Sequence, residues 1–384
     1  MAKIDTHIIL RIPKQVKFDI TLRLPDRPPK AGGLKIARVL PIYDSGVFPI
    51  PPIRLMDTDF IQIKSSNLNL YRKVPFYYEN RRGDFALYKP IGVILSEMRI
   101  RERMHPKKLY IKRTNKIEAI QEVQSEYNRE IKKCLRENDI LKVRNIVQSI
   151  VQVTLDEPVT GTLEGVSSTV NILAGEVSRN RDIVKILFDL TSKDYTTTKH
   201  SVNVMALALG YANYVNFDKH KKKVLGIAAL LHDVGKARVD TEILKSPRKL
   251  TEEEFHEIKK HTTKGFNILG TCKFSNDEIK TTALEHHEKL DGSGYPNQKT
   301  DISEFAQIVA IIDCYEALTN DERVYRKAAE PLSALKIIRT EIVDAGKFSR
   351  NIFKNFARSL LQVYKSDGES ANAQCDRVSS GYGG

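Results

Sequence analysis

The chain is poor in cysteine, has no long apolar run and shows no internal repeat, and each absence narrows its class. Its four cysteines, Cys134, Cys272, Cys314 and Cys375, stand far apart with no CxxC pair. That argues against both a disulfide framework and a structural zinc ribbon. No uninterrupted apolar stretch reaches the ~18 residues of a spanning helix. The opening MAKIDTHIILRIPKQ lacks the apolar core and small-residue cleavage site of a secretory signal, so a cytoplasmic protein without a membrane span is expected. The net charge of +14 comes from Lys and Arg spread along the chain, with no DNA- or RNA-binding signature beside them. It reads as a general attraction for anions, small phosphate ligands included, rather than as specific nucleic-acid binding. The densest cluster, Lys219 to Lys223, reads as a solvated stretch between two helices.

What is present divides the chain. Its 384 residues suggest two or three domains at roughly 150 residues each, and 41% hydrophobic with 29% charged residues is an ordinary globular balance. Residues 1–45 are rich in proline, with one strand-like alternation at Val16, Phe18, Ile20, Leu22 and Leu24, and read as a loosely attached segment. Residues 46–115 read as a small β-rich accessory or sensory domain. Strands are expected near Phe60–Lys64, Val74–Tyr78, Phe85–Tyr88 and Leu109–Lys112, with turn chemistry at Asn80–Asp84 and a short helix near Leu95–Arg103. From Lys116 the period changes. Ile117, Ile120, Val123, Tyr127, Ile131 and Leu135 recur every three or four residues, and Ile140, Val143, Val147 and Ile150 continue the pattern. Residues 116–155 thus read as a helical linker, able either to pair with a second copy of the chain or to pack on its own bundle. Residues 156–364 read as a helical domain, and the Gly/Ser-rich 365–384 as a disordered tail. The fold class is mainly α, a helical bundle preceded by a small β-rich (α+β) domain.

Seven of the nine histidines fall in this helical domain, and five of them stand out with carboxylates beside them: His200, His232-Asp233, His261, His286-His287 and, further on, Asp313. Steps of 32, 29, 25 and 26 residues separate them, about one helix and its connection each, so each helix can offer a ligand to a common centre. Asp313 lies in the apolar VAIIDCYEAL and Asp233 follows the apolar IAALL. A buried carboxylate is costly unless a cation pairs with it, and metal ions meet that need for both. A single buried histidine is more often a hydrogen-bonded core residue, and His220 and His256, in charged surroundings, read that way. Seven mixed nitrogen and oxygen donors exceed what one ion needs, which makes two ions the natural reading.

HDVGK at 232–236 and HHEKLDGSGYP at 286–296 resemble the HD-GYP family, a subgroup of the HD-domain metal-dependent phosphohydrolases, over about residues 195–356. ILKSPRKLTEEEF, IDCYEALTN and VYRKA add to the likeness. The resemblance implies an HD-type bundle and hydrolysis of cyclic di-GMP to pGpG or GMP through a metal-bridging hydroxide, in bacterial second-messenger signalling. It implies metal binding by His200, His232, Asp233, His261, His286, His287 and Asp313, with Asp233 bridging two divalent ions, iron or manganese before zinc. Lys236, four residues after His232 and so expected on the same helix face, would contact the scissile phosphate or help the leaving oxygen. Gly294, Tyr295 and Pro296 would form a recognition loop, the glycines allowing positive φ and close approach to a ligand. Arg323 and Arg326 would contact substrate. The family also brings contact with diguanylate cyclase (GGDEF) proteins through the GYP loop. Glu288 reads as support for a ligand histidine.

The chain departs from the family at three places. Glu316 stands where an Asp is usual after the metal-binding Asp, the RPYR segment reads Arg323-Val324-Tyr325-Arg326 and begins one residue late, and Thr196 replaces the Glu that accompanies a third metal. Two alternatives therefore stand beside the phosphodiesterase: a degenerate domain that binds a cyclic dinucleotide and signals by contact, and an HD hydrolase of another nucleotide phosphoester.

Overall fold

The computed structural model describes residues 59–63, 68–96, 102–180, 182–188, 196–244, 246, 248–273, 276–320, 329–343 and 345–362. Expectations placed on residues 1–58, on Arg323 and Arg326 and on the tail 365–384 fall outside these. By contacts the chain divides into residues 1–51 and 52–384, and all described residues belong to the second unit.

Four short strands come first: β1 (Phe60–Gln62), β2 (Phe76–Glu79), β3 (Phe85–Lys89) and β4 (Tyr110–Lys112). They form one antiparallel sheet in the order β1-β4-β2-β3, with a bulge in the β2–β3 pair at Phe76/Tyr77. The β2–β3 connection is made as the sequence requires. The Asn80 side-chain oxygen accepts the N–H groups of Arg82 and Asp84 at 2.8 and 3.0 Å, and Gly83 takes a φ of +81°. Among the described residues between Lys89 and Leu109 there is no helix; the one expected near Leu95–Arg103 falls partly on residues outside the description.

The sheet has too little core of its own and borrows one. Helix α1 (Lys116–Arg136) sends Ala119 and Val123 into the cluster of Leu68, Val74, Phe76 and Ile111. Its buried Glu122 accepts the backbone N–H groups of Arg72 and Lys73 at 2.7 and 3.0 Å. Ile131 and Cys134, two turns further on, belong instead to the core of the helical bundle. Helix α2 (Ile140–Asp156) buries Val143, Val147, Ile150 and Val151 in that same core. Most apolar side chains of residues 116–156 thus pack within the chain, while Ile117 and Leu141 stay exposed.

The bundle continues through α3 (Thr160–Val177), α4 (Asp182–Leu187), α5 (Thr197–Tyr214) and α6 (Lys219–Leu231). A 3-10 turn (Val234–Arg238) and short α7 (Thr241–Leu244) lead to α8 (Glu252–Lys259), α9 (His261–Gly270) and α10 (Glu278–Glu285). Next come α11 (Glu304–Thr319), α12 (Pro331–Ile337) and a last helix over 350–362. Starts follow capping chemistry: Thr196, Asp218, Thr251 and Ser303 each accept a backbone N–H three residues on. Thr196, the position of the missing third-metal Glu, therefore serves as the cap of α5. Lys219–Lys223 is the first turn and a half of α6 rather than a connection, with Asp218 offsetting positive charge at that helix start. Helices α5 and α11 are buried on nearly every side and form the centre of the bundle. No helix among the described residues is long and apolar enough to cross a membrane.

Candidate metal centre

The donors come together mainly from helix ends, not from helix faces. His200 and Asp313 do lie inside α5 and α11, but His232 caps the end of α6, His261 opens α9 and His286 caps the end of α10. At a helix end the last carbonyls lack intrahelical partners. Three histidines use them alike. His232 Nδ1 donates to the Ala229 carbonyl (2.7 Å), His261 Nδ1 to Ile258 (2.7 Å) and His286 Nδ1 to Ala283 (3.0 Å), each three residues back. A carbonyl only accepts, so Nδ1 carries the proton and Nε2 is left with a bare lone pair directed inward.

His200 reaches the same state by another route. Its Nδ1 donates to Glu316 Oε2 at 2.6 Å, and the other Glu316 oxygen accepts from Asn203 (2.9 Å) and Asn320 (3.0 Å). Burial alone would raise the Glu316 carboxyl, but His200 and the two amides hold it below the usual range. The residue that departs from the family pattern thus orients the first donor of the centre.

Asp233 lies between the two sets. Its Oδ2 stands 3.4 Å from His232 Nε2 and 3.5 Å from His200 Nε2, and its Oδ1 3.2 Å from His261 Nε2 and 3.8 Å from His286 Nε2. One atom each from His200, His232 and Asp233 lies within 4.8 Å of the others, and so do single atoms of Asp233, His261, His286 and His287. His200 and His232 bring their Nε2 atoms to 3.2 Å, and His261 and His286 to 3.3 Å. With the protons on Nδ1 these contacts set lone pair against lone pair, and Asp233 Oδ1 is buried with no hydrogen-bond partner. Each group offers the nitrogen and oxygen donors that a divalent cation takes, and Asp233 belongs to both. Asp313 Oδ1 stands 3.2 Å from His200 Nε2, beside the first group. His287 flanks the second, and burial pushes it down to about 3, so its imidazole is neutral at physiological pH.

Lys236 is present, though not where an α-helix would place it. The helix ends at Leu231, so Lys236 sits on the 3-10 turn and donates to Asp233 Oδ2, three residues back. Burial alone would raise the Asp233 carboxyl, but Lys236 and then His232 hold it well below the carboxylate range. Gly235 lets this turn lie against α9. A Cβ there would stand 1.9 Å from the His261 carbonyl oxygen and 2.5 Å from the Gly265 nitrogen. That glycine was not singled out in the sequence, although its place beside the HD pair is a signal for close backbone approach.

The loop after His287 packs against the centre. The Tyr295 ring stacks on His287 with centroids 4.7 Å apart, and its N–H donates to the His287 carbonyl (3.2 Å). Exposed Pro296 follows through a cis peptide bond. The glycines act differently from expectation. Gly292 takes the positive φ, +77°, while Gly294 is needed because a Cβ would stand 2.4 Å from Glu288 Cα and Lys289 N. The close approach seen at Gly294 is to the chain's own backbone. Glu288 likewise supports the loop rather than a histidine: its carboxylate accepts the N–H groups of Asn297 (2.7 Å) and Lys299 (3.0 Å). Buried Glu285, unnoticed in the sequence, accepts from Ser303 N and Lys299 Nζ at 2.9 and 2.6 Å.

Comparison with known proteins agrees with this geometry. Residues 185–345 match the HD domain family. Over 196 residues the chain is 33% identical to the cyclic di-GMP phosphodiesterase PA4108 of Pseudomonas aeruginosa, covering 50% of this chain and 46% of that protein. It is 34% identical over 176 residues to the 3'3'-cGAMP-specific phosphodiesterase 1 of Vibrio cholerae, covering 45% and 40%. Over 202 residues it is 32% identical to a cyclic di-GMP phosphodiesterase of Thermotoga maritima, covering 48% and 52%. The chain thus spans about half the length of these relatives. Among solved structures, Bd1817, an HDG"Y"P protein from Bdellovibrio bacteriovorus, superposes with a TM-score of 0.53 at 18% identity, over 79% of this chain and 99% of that one, and shares the fold.

Proposed function

We propose that this chain, whose residues 185–345 match the HD domain family, is a metal-dependent phosphodiesterase of the HD-GYP type acting on cyclic di-GMP. The observation that carries the reading is Asp233: a buried carboxylate with an orphan oxygen, ringed by four imidazoles whose bare nitrogens all face inward. His200, His232 and Asp233, with Asp313 alongside, would hold one divalent ion, and Asp233, His261, His286 and His287 the other, iron or manganese before zinc. Such ions supply Lewis acidity and a hydroxide nucleophile at neutral pH.

The chain's own residues do the rest. Helix-end carbonyls and Glu316 fix the imidazole tautomers, so the donors need no rearrangement. The Lys236 ammonium, half-buried beside Asp233, stabilises charge on the scissile phosphate and its departing oxygen. Tyr295, stacked on His287, presents a ring edge and a hydroxyl to a base or sugar, with Gly294 and Pro296 shaping its loop. Arg323 and Arg326 belong to this proposal as further substrate contacts. Products would be pGpG or GMP in a cytoplasmic signalling pathway, and the exposed Asp291 and Ser293 are where a diguanylate cyclase could meet the loop.

A second substrate, 3'3'-cGAMP, is favoured by one observation, the relative of that specificity at 34% identity. Turnover of cyclic di-GMP, 3'3'-cGAMP and bis(p-nitrophenyl) phosphate by the purified chain, with metal content measured in parallel, tests the reading. Cyclic dinucleotide cleavage that scales with bound metal supports it. A metal-loaded chain that binds the dinucleotide without cleaving it makes the domain an effector, and one that cleaves only other nucleotide esters moves the substrate class.

A further inference from the structure

Among the described residues, Lys259 is a cation beside the centre that makes no ion pair. Lys259, the last residue of α8, holds its ammonium 4.7 Å from the Phe255 ring centroid and 5.3 Å from that of Tyr295. Its neighbours have acidic partners: Lys260 and Lys264 share Glu257, and Arg248 makes a two-pronged pair with Glu254. Among the described residues no carboxylate lies within ion-pair distance of Lys259. Two aromatic faces attract its charge but give its N–H groups no oxygen to donate to, so they leave hydrogen-bonding capacity directed outward. The placement is central. Tyr295 rests on His287, and Phe255 lines an apolar cleft of about 760 Å³ with Ile243, Leu244, Leu250 and Ile258. Ile258 is also the residue whose carbonyl holds His261. Lys259 thus stands where the cleft, the Tyr295 ring and the second metal group adjoin.

We infer that Lys259 is a specificity-determining residue that pairs with the second, uncleaved phosphate of a cyclic dinucleotide. The inference rests on the phosphodiesterase reading above and deepens it. A cyclic dinucleotide carries two phosphodiester charges. While one is at the metals, the other must either stay in water or meet a cation, and a ring-held ammonium beside the Tyr295 loop meets it without being drawn away by any described carboxylate. A substrate with a single phosphodiester has no use for that contact.

The test compares wild type, Lys259→Gln and Lys259→Arg, all manganese-loaded, on cyclic di-GMP and on bis(p-nitrophenyl) phosphate, with calorimetric binding of cyclic di-GMP as a second readout. Lys259→Gln is expected to raise KM and Kd for cyclic di-GMP roughly tenfold or more, as for loss of a charged hydrogen bond, with kcat little changed. The nitrophenyl ester should be cleaved as by wild type, Lys259→Arg should recover most of the dinucleotide affinity, and the salt dependence of KM should flatten in the glutamine variant. Equal losses on both substrates would assign Lys259 to support of Tyr295 or His261, and unchanged KM and Kd in Lys259→Gln would remove it from recognition; either overturns the inference while leaving the phosphodiesterase standing. Wild type that cleaves the nitrophenyl ester yet binds no cyclic dinucleotide would overturn the reading and the inference together.

Discussion

His232, His261 and His286 are held by backbone; His200 is held by a side chain. Three of the imidazoles take their orientation from carbonyls at the ends of α6, α8 and α10, bonds that no substitution short of breaking the helix can delete. His200 depends on Glu316, itself pinned by Asn203 and Asn320. The two groups of donors are therefore built to different tolerances. The group containing His261 and His286 is as durable as the fold, whereas the group containing His200 can be tuned one residue at a time. At 316 the Glu side chain spans from α11 to His200 on α5.

Breaking the shared element should erase the distinction. Asp233→Ala removes the ligand common to both groups, and turnover should fall to background with loss of both ions by elemental analysis while helical circular dichroism is retained; full metal occupancy would refute the two-ion arrangement. Lys236→Ala should spare both groups and slow the chemistry by ~10²–10³-fold, the loss typical of one transition-state charge contact, with metal content unchanged. Glu316→Ala should separate the groups: the affinity of one ion should drop by ~10–100-fold, as when a histidine ligand loses its orienting partner, while the other titrates as in wild type. Two ions weakened equally would show that Asp233 couples the groups too tightly for the contrast to hold. Thr196→Ala, which removes only the cap of the helix bearing His200, should cost about 1 kcal/mol in a denaturant titration and leave both metal affinities unchanged.

The histidines and aspartates were legible because metal donors must be particular residue types at helix-length intervals; Asp233 is buried, as its apolar lead-in implies, whereas Asp313 is half-buried. The β-strands near residues 60, 76, 85 and 110 were legible from alternation and from Asn80-to-Asp84 turn chemistry. What escaped was set by contacts far apart in the chain. Nothing near Glu316 shows that its partner is 116 residues away, so it read as a departure rather than as a support. That Gly294 makes room for the backbone of Glu288 was likewise hidden, because that packing follows from how the loop folds back. The spacing from His232 to Lys236 read as one helix face, since a helix that stops at Leu231 and tightens into a 3-10 turn leaves no mark in hydrophobic period. Arg323 and Arg326 stay as sequence expectations.

Helix α1 has a consequence for cooperativity. Its first half is glued to the sheet by Ala119, Val123 and Glu122, its second half to the bundle by Ile131 and Cys134, and Tyr127 touches both clusters. The sheet cannot melt without stripping the cover from the first three turns of a helix whose remainder stays anchored, so α1 should come apart in two steps. Under native-state hydrogen exchange its amides would then report two opening energies, lower before Tyr127 and higher after it, dividing a single continuous helix between two foldons.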